Sequence, residues 1–133
     1  MFIELDLQSE TPIYTQLVDQ IVEGIASGEL KPGDSLPSIR SLAEDLGINL
    51  HTVNKAYNLL KQEGLLQVNR KTGVIVQPGG MPGVTEVFAE KLRRQLRSLA
   101  AAAAVRGMAE EVFAQESRSV YQDIIRIRGG EQH

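Results

Sequence analysis

A cluster of polar side chains on one face of a predicted helix has the chemistry needed to read DNA. The helix is predicted over residues 50–63, and at 100° per residue one of its faces, within about 60° of its centre, is made of His51, Asn54, Lys55 and Asn58. This face offers hydrogen-bond donors and acceptors, one cation and no carboxylate. Base edges and phosphates require that combination. The pattern therefore predicts a DNA-reading face, although it is also compatible with an ordinary solvated surface, which usually mixes Glu with Lys.

Polar residues at the starts of two predicted helices extend this candidate surface. Asn49 and Thr52 belong to the first turn of the reading helix, where free backbone N–H groups approach phosphates, and Asn49 also serves as a helix cap. Ser38 is a cap first and a phosphate donor second. Arg40, at the start of the preceding helix, is interpreted as a guanine or phosphate contact, or as a surface ion pair with Glu44.

A short basic segment lies farther along the chain. Arg70, Lys71 and Thr72 are followed by Gly73, and the segment lies between two β-rich runs, residues 65–68 and 74–76. A short basic hairpin tip with a glycine at the turn is what a minor-groove wing requires. Basic hairpin tips also occur by chance, so this signal depends on its neighbours.

The elements that must position these residues follow in a recognisable order. Thr11 as N-cap and Pro12 as first helical residue predict an amphipathic helix that ends at Gly28. Residues 31–34 predict a turn, and Ser38 caps a short helix that runs to Leu46. The turn at residues 47–49 then leads into the reading helix, whose core face is predicted to consist of Val53, Ala56, Tyr57 and Leu60. A helix, a helix-turn-helix and a hairpin in this order predict a winged helix-turn-helix.

The remaining chain predicts a separate helical tail. Pro and Gly residues make residues 79–83 a linker between a domain of residues 1–78 and a tail of residues 84–133. The tail is predicted as an antiparallel pair of helices, the second over about residues 109–127, so the fold class is mainly α with a small β-hairpin. Its apolar stripes cannot cover each other, and the missing surface must come from the winged domain or from a second copy of the chain. The residues predicted to dimerise are Val84, Val87, Phe88, Leu92, Leu96, Leu99, Val112, Phe113, Val120, Tyr121 and Ile124.

Composition narrows the class of protein. The chain has 133 residues, 42% hydrophobic and 23% charged, no cysteine and only two histidines, so we expect a globular protein without a disulfide, metal site or cofactor. The sequence shows neither a pair of carboxylates nor a nucleophile–base set of the kind that would indicate an enzyme. No membrane span or secretory signal is apparent, which favours the cytoplasm. The net charge of −3 conceals an asymmetry, because residues 1–39 carry −6 and residues 40–78 carry +2.

Residues 12–76 resemble the GntR family of transcription regulators without a gap. The motifs that carry the resemblance are Pro12-Ile13-Tyr14, GELKPGDSLPSIR at residues 28–40, Thr52-Val53, Lys55-Ala56-Tyr57, EGL at residues 63–65 and GVIV at residues 73–76. The short helical tail resembles the YtrA-type subgroup, in which two helices mainly dimerise. The larger effector-binding domains of other subgroups have no room here.

The resemblance implies a homodimeric regulator, usually a repressor, that binds double-stranded DNA at an inverted-repeat operator. By position, the family's contacts fall on Arg40, Asn49, His51, Thr52, Asn54, Arg70 and Lys71. The chain departs from some members that have arginine at the positions of Leu50 and Asn54, and from many that have glycine at Lys71. The alternatives are a winged-helix protein–protein adaptor and a small-molecule-binding module; an effector of a regulator would act on the tail or the linker.

Overall fold

A computed structural model describes the backbone of residues 3–131 and the side chains through Arg126. Residues 1–2 and the end of the predicted tail, residues 132–133, lie outside the described residues. The chain divides into compact units, one running to Pro82 and one covering Gly83–Arg126. Within the described residues, no helix is both long and apolar enough to cross a membrane.

The first unit combines three helices with a three-stranded antiparallel sheet of order β1-β3-β2. Its elements are α1 (Ile13–Ser27), β1 (Ser35–Leu36), α2 (Ile39–Leu46), α3 (Leu50–Gln62), β2 (Leu66–Asn69) and β3 (Gly73–Val76). The predicted winged helix-turn-helix is confirmed. Strand β1 was not predicted, because two residues are too short to show alternation; it pairs Ser35 with Ile75 and Leu36 with Val74.

The start of α1 differs from its prediction. Pro12, not Thr11, is the N-cap, with φ −55° and ψ 147° and no side-chain cap hydrogen bond. The Pro12 carbonyl accepts hydrogen bonds from the backbone N–H groups of Thr15 and Gln16, each at 3.1 Å. A proline in this extended conformation starts the helix through its carbonyl, so the helix begins one residue later than expected.

Two glutamines of α1 hold the preceding segment along the helix. Gln20 Oε1 accepts from the N–H of Glu4 at 2.9 Å, and Gln16 Oε1 accepts from the N–H of Asp6 at 2.8 Å. The side-chain amides return hydrogen bonds to the carbonyls of the same two residues. This segment is therefore fixed by side chains of α1 and does not join the sheet.

The helix-turn-helix is defined by two side-chain caps. Ser38 Oγ accepts from the N–H of Ser41 at 3.1 Å, and Asn49 Oδ1 accepts from the N–H of His51 at 2.8 Å. Between the two helices Gly47 adopts a φ of +66°, which favours glycine and ends α2. Both predicted caps are confirmed, so the starts of α2 and α3 are fixed by local sequence.

The core of the first unit lies between α1, α3 and the sheet. The four side chains predicted for the core face of α3 are all buried, namely Val53, Ala56, Tyr57 and Leu60. They pack with Leu17 and Ile21 of α1, which are also fully buried. The 3.6-residue period of α3 thus separates a buried face from an exposed one.

Tyr57 has a second function in this core. Its hydroxyl donates a hydrogen bond of 2.9 Å to the Pro37 carbonyl, in the segment that leads into α2. Burial raises the pKa of Tyr57 from 10.0 to about 12. The phenol therefore stays protonated at neutral pH and ties the reading helix to the start of its partner helix.

The second unit consists of two long helices, α4 (Glu86–Val105) and α5 (Glu110–Glu131). The Thr85 hydroxyl caps α4 by accepting from the N–H of Phe88 at 3.1 Å. Val84, expected on the apolar face of the helix, therefore lies before it. From α4 to Arg126 no described side chain is buried. These helices have no core of their own.

We expect Tyr57→Phe to lower the free energy of unfolding by about 0.5–1.5 kcal/mol, because the partly buried Pro37 carbonyl loses its donor. The folded state binds the tyrosine proton more tightly than the unfolded state, so this contribution is complete below pH 10 and is lost as the pH rises to about 12. Urea unfolding of both proteins at pH 8 and pH 11 measures the difference. An unchanged difference between the two pH values would contradict the assignment.

Candidate nucleic-acid interface

Residues from the first turns of α2 and α3 meet around an open depression of about 330 Å³. Its lining consists of Ile39, Arg40, Leu50, His51 and Asn54. Three of these had been predicted to contact DNA, so the fold brings together candidates from two separate helices. The N-termini of both helices lie at this depression, and the free N–H groups of helix N-termini favour anions.

Arg40 is exposed on the first turn of α2. Among the residues that the structure describes, it forms no ion pair with Glu44, which was the alternative interpretation of this arginine. Its guanidinium, with five N–H donors, therefore remains available to a base edge or a phosphate.

The exposed face of α3 continues beyond the depression with Lys55 and Asn58. The ammonium of Lys55 lies 3.9 Å from the centre of the Tyr14 ring on α1. Such a cation–π contact contributes about 0.5–1 kcal/mol at an exposed site and restricts the lysine side chain. In the sequence, Tyr14 belongs to the motif Pro12-Ile13-Tyr14, and no local pattern connects it to Lys55.

Three further candidates lie at the helix starts. Ser38 and Asn49 use their oxygen atoms in caps, which leaves the Ser38 O–H and the Asn49 side-chain N–H groups able to donate. Thr52 is partly buried in the first turn of α3. Capping and phosphate binding are thus compatible at Ser38 and Asn49.

The wing tip is held by a residue that the sequence analysis missed. Asn69 Oδ1 accepts from the backbone N–H of Lys71 at 2.9 Å and of Thr72 at 2.7 Å. Asn69 pairs with Gly73 across the hairpin, and the φ of Gly73 is +69°, which a side chain would strain. Asparagine side chains in turns commonly accept a hydrogen bond from the backbone two residues further on, and this tendency could have identified the role of Asn69.

Arg70, Lys71 and Thr72 are exposed at this tip. No acidic residue occurs within α3, whereas Glu44 and Asp45 lie in the second half of α2 and Glu63 follows α3. The exposed side of α3 therefore presents cations and neutral polar groups without a competing carboxylate.

The fold and this surface define a winged helix-turn-helix protein. Residues 13–76 match the family described as bacterial regulatory proteins, gntR family, and the chain belongs to that family. The predicted resemblance to its YtrA-type subgroup is also confirmed. The chain is 32% identical over 131 residues to the HTH-type transcriptional repressor YtrA of Bacillus subtilis, and the match covers 98% of each chain.

Two solved structures are similar to the chain. A transcriptional antiterminator from Listeria monocytogenes matches with a TM-score of 0.86 and 26% identity, over 94% of this chain and 93% of that one. AraR(DBD) in complex with operator ORX1 matches with a TM-score of 0.51 and 27% identity, over 57% of this chain and 98% of that one. That structure shows AraR(DBD) bound to operator DNA.

We expect Asn69→Ala to loosen the wing tip without unfolding the domain. The backbone N–H groups of Lys71 and Thr72 would lose their acceptor, so their hydrogen exchange should accelerate, while the free energy of unfolding falls by no more than about 1 kcal/mol. Exchange measured residue by residue by NMR tests this. Asn58→Ala, which removes an exposed amide from α3, is the control, and equal exchange in both variants would refute the role of Asn69.

Proposed function

We propose that this regulator represses transcription by binding an inverted-repeat operator as a homodimer. The observation that carries the proposal is the depression at which Arg40 of α2 meets His51 and Asn54 of α3. Side chains of both helices face one surface that offers donors, acceptors and two helix N-termini. An acid-free surface of this kind fits the floor and the edges of a major groove.

We assign base reading to Arg40, His51, Asn54 and Asn58. A guanidinium donates two hydrogen bonds to the O6 and N7 of guanine, and asparagine amides pair with the N6 and N7 of adenine. Arg40 is the natural guanine reader because the described residues leave it without an ion pair. His51 can donate or accept according to its tautomer.

We assign anchoring to the remaining candidates. Ser38, Asn49 and Thr52 donate to phosphates beside the helix starts, and Lys55 supplies charge at a position that Tyr14 restricts. The wing residues Arg70, Lys71, Thr72 and Gly73 enter the neighbouring minor groove. These contacts set the register of the protein on DNA and carry little sequence information.

The helical tail supports a dimer. The candidate side chains on α4, among them Phe88 at 50% and Leu92 at 44% exposure, are exposed to solvent, and on α5 only Phe113 and Ile124 are partly buried. Isolated helices are marginally stable in water, so these helices need a partner surface. A second copy of the chain would cover the apolar side chains of both subunits in the same way, and twofold dimers are the commonest closed assemblies.

A twofold dimer determines the form of the operator. Two reading helices related by a twofold axis bind half-sites in inverted orientation, with centres one helical turn of DNA or a multiple of it apart. A small-molecule effector would act on the tail or the linker by changing the separation of the two helices. We place this activity in the cytoplasm, where the DNA is, and it uses no cofactor and no catalysis.

The alternative function is that of a winged-helix adaptor that binds only proteins. The salt dependence of DNA affinity distinguishes this adaptor from a DNA-binding regulator. Binding to DNA releases counterions, so log K should fall steeply with log salt concentration. An adaptor would show no affinity for DNA at low salt.

We expect Arg40→Ala and Lys55→Ala to weaken DNA binding in different ways. Loss of a bidentate guanine contact should cost about 1–3 kcal/mol per half-site and relax the base preference at one position. Lys55→Ala should weaken operator and random DNA alike and reduce the salt slope by about one unit per phosphate contact. Fluorescence anisotropy on both kinds of DNA at several salt concentrations gives these values.

The control for charge is Lys61→Ala, which removes a cation from α3 outside the reading face. It should alter the salt slope less than Lys55→Ala does. Equal losses for Arg40→Ala and Lys55→Ala on both DNAs would contradict the division into reading and anchoring residues.

We expect charges on the apolar stripe of α4 to separate the subunits. In Leu92→Glu/Leu96→Glu, two carboxylates from each subunit would have to be buried in the dimer, which is costly, so the protein should sediment as a monomer at micromolar concentration. Operator affinity should drop strongly, because each half-site would bind alone. Arg94→Gln/Arg97→Gln changes the net charge equally on the opposite face and should remain a dimer. A dimeric Leu92→Glu/Leu96→Glu variant would disprove the tail interface.

A further inference from the structure

Leu50 is an apolar residue at the edge of the polar reading face of α3. It is the first residue of α3, directly after the capping Asn49, and 39% of its surface is exposed. It lines the same depression as Arg40 and His51. Ile39 lines the same depression and is partly buried against the core, whereas Leu50 is exposed there.

The domain therefore covers only part of Leu50 and leaves the rest of this side chain exposed in the depression. An exposed leucine leaves apolar surface in water, which is unfavourable unless a partner covers it. A phosphate cannot be that partner, because a leucine beside it would replace water without offering a hydrogen bond. The partner must be an apolar group that lies among hydrogen-bonding groups.

The major-groove edges of the four base pairs contain one such group, the C5-methyl of thymine. We propose that Leu50 is a specificity-determining residue that contacts a thymine methyl in each operator half-site. The inference rests on the proposed function. Because Leu50 and Arg40 line one depression, the thymine lies in the same half-site as the guanine that Arg40 reads, within the few base pairs that the N-terminal end of α3 covers.

Replacement of thymine by uracil removes only this methyl group and keeps every hydrogen bond of the base pair, which makes a direct test possible. Operator duplexes are first selected from random DNA with the full-length protein, and each thymine is then replaced in turn. Removal of a contacted methyl should weaken wild-type binding about fourfold per half-site, or about 15-fold when both half-sites are changed. All other thymines should be insensitive to Leu50.

Leu50→Ala should bind the thymine and uracil duplexes with equal affinity, and this affinity should equal that of the wild type for the uracil duplex within about twofold. Leu50→Met keeps an apolar side chain of similar volume and should retain most of the discrimination, which also guards against a folding defect in the alanine variant. Leu7→Ala, which removes an exposed leucine from the N-terminal segment, should discriminate as the wild type does.

The outcomes separate the two proposals. If wild type and Leu50→Ala lose the same factor at every thymine, or if no thymine responds, the methyl contact is overturned while the regulator function stands. If the full-length protein selects no DNA sequence at all, the proposed function fails and this inference fails with it.

Discussion

The candidate DNA-binding surface depends on one partly buried hydrogen bond, from the Tyr57 hydroxyl to the Pro37 carbonyl. Tyr57 belongs to α3, and Pro37 precedes the cap of α2, so the bond connects α3 to the start of α2. Burial holds the phenol in its protonated form, since it raises the pKa of Tyr57 to about 12. With α2 and α3 fixed in this way, Arg40 and His51 are held at the same depression before any ligand arrives.

Other interactions within the domain also restrict the side chains and turns that are candidates for DNA contact. The Asn69 side chain closes the wing turn, the Tyr14 ring restricts Lys55, and the Ser38 and Asn49 caps determine where the helices start. A side chain that is already ordered in the free protein loses less conformational entropy when a ligand binds. The surface is thus organised by contacts within the domain, and its exposed donors can serve a ligand.

The sequence predicted features that are local and missed those that depend on distant residues. Caps and the 3.6-residue period predicted α2 and α3 closely, including the four buried residues of α3, because these signals reside within one turn of helix. Strand β1 exists only because β3 provides its hydrogen-bond partners, and its two residues could not reveal that. The contact between Lys55 and Tyr14 likewise requires α1 and α3 to be packed together first. At Pro12 the error was one of register, since proline is compatible with both the cap and the first helical position.

The two units differ in how they cover their apolar side chains, and this difference bears on how the protein could be regulated. The first unit closes around Leu17, Ile21, Val53, Leu60 and Val76, each with no exposed surface. The helices of the second unit present apolar stripes with no buried side chain through Arg126. A domain with a closed core can hold its reading residues rigidly whether or not it has a partner, whereas an open helical stripe gains its stability from association. In the dimer that we propose, the affinity for a two-part operator would follow the concentration of the chain, because only the associated form presents two reading helices at once.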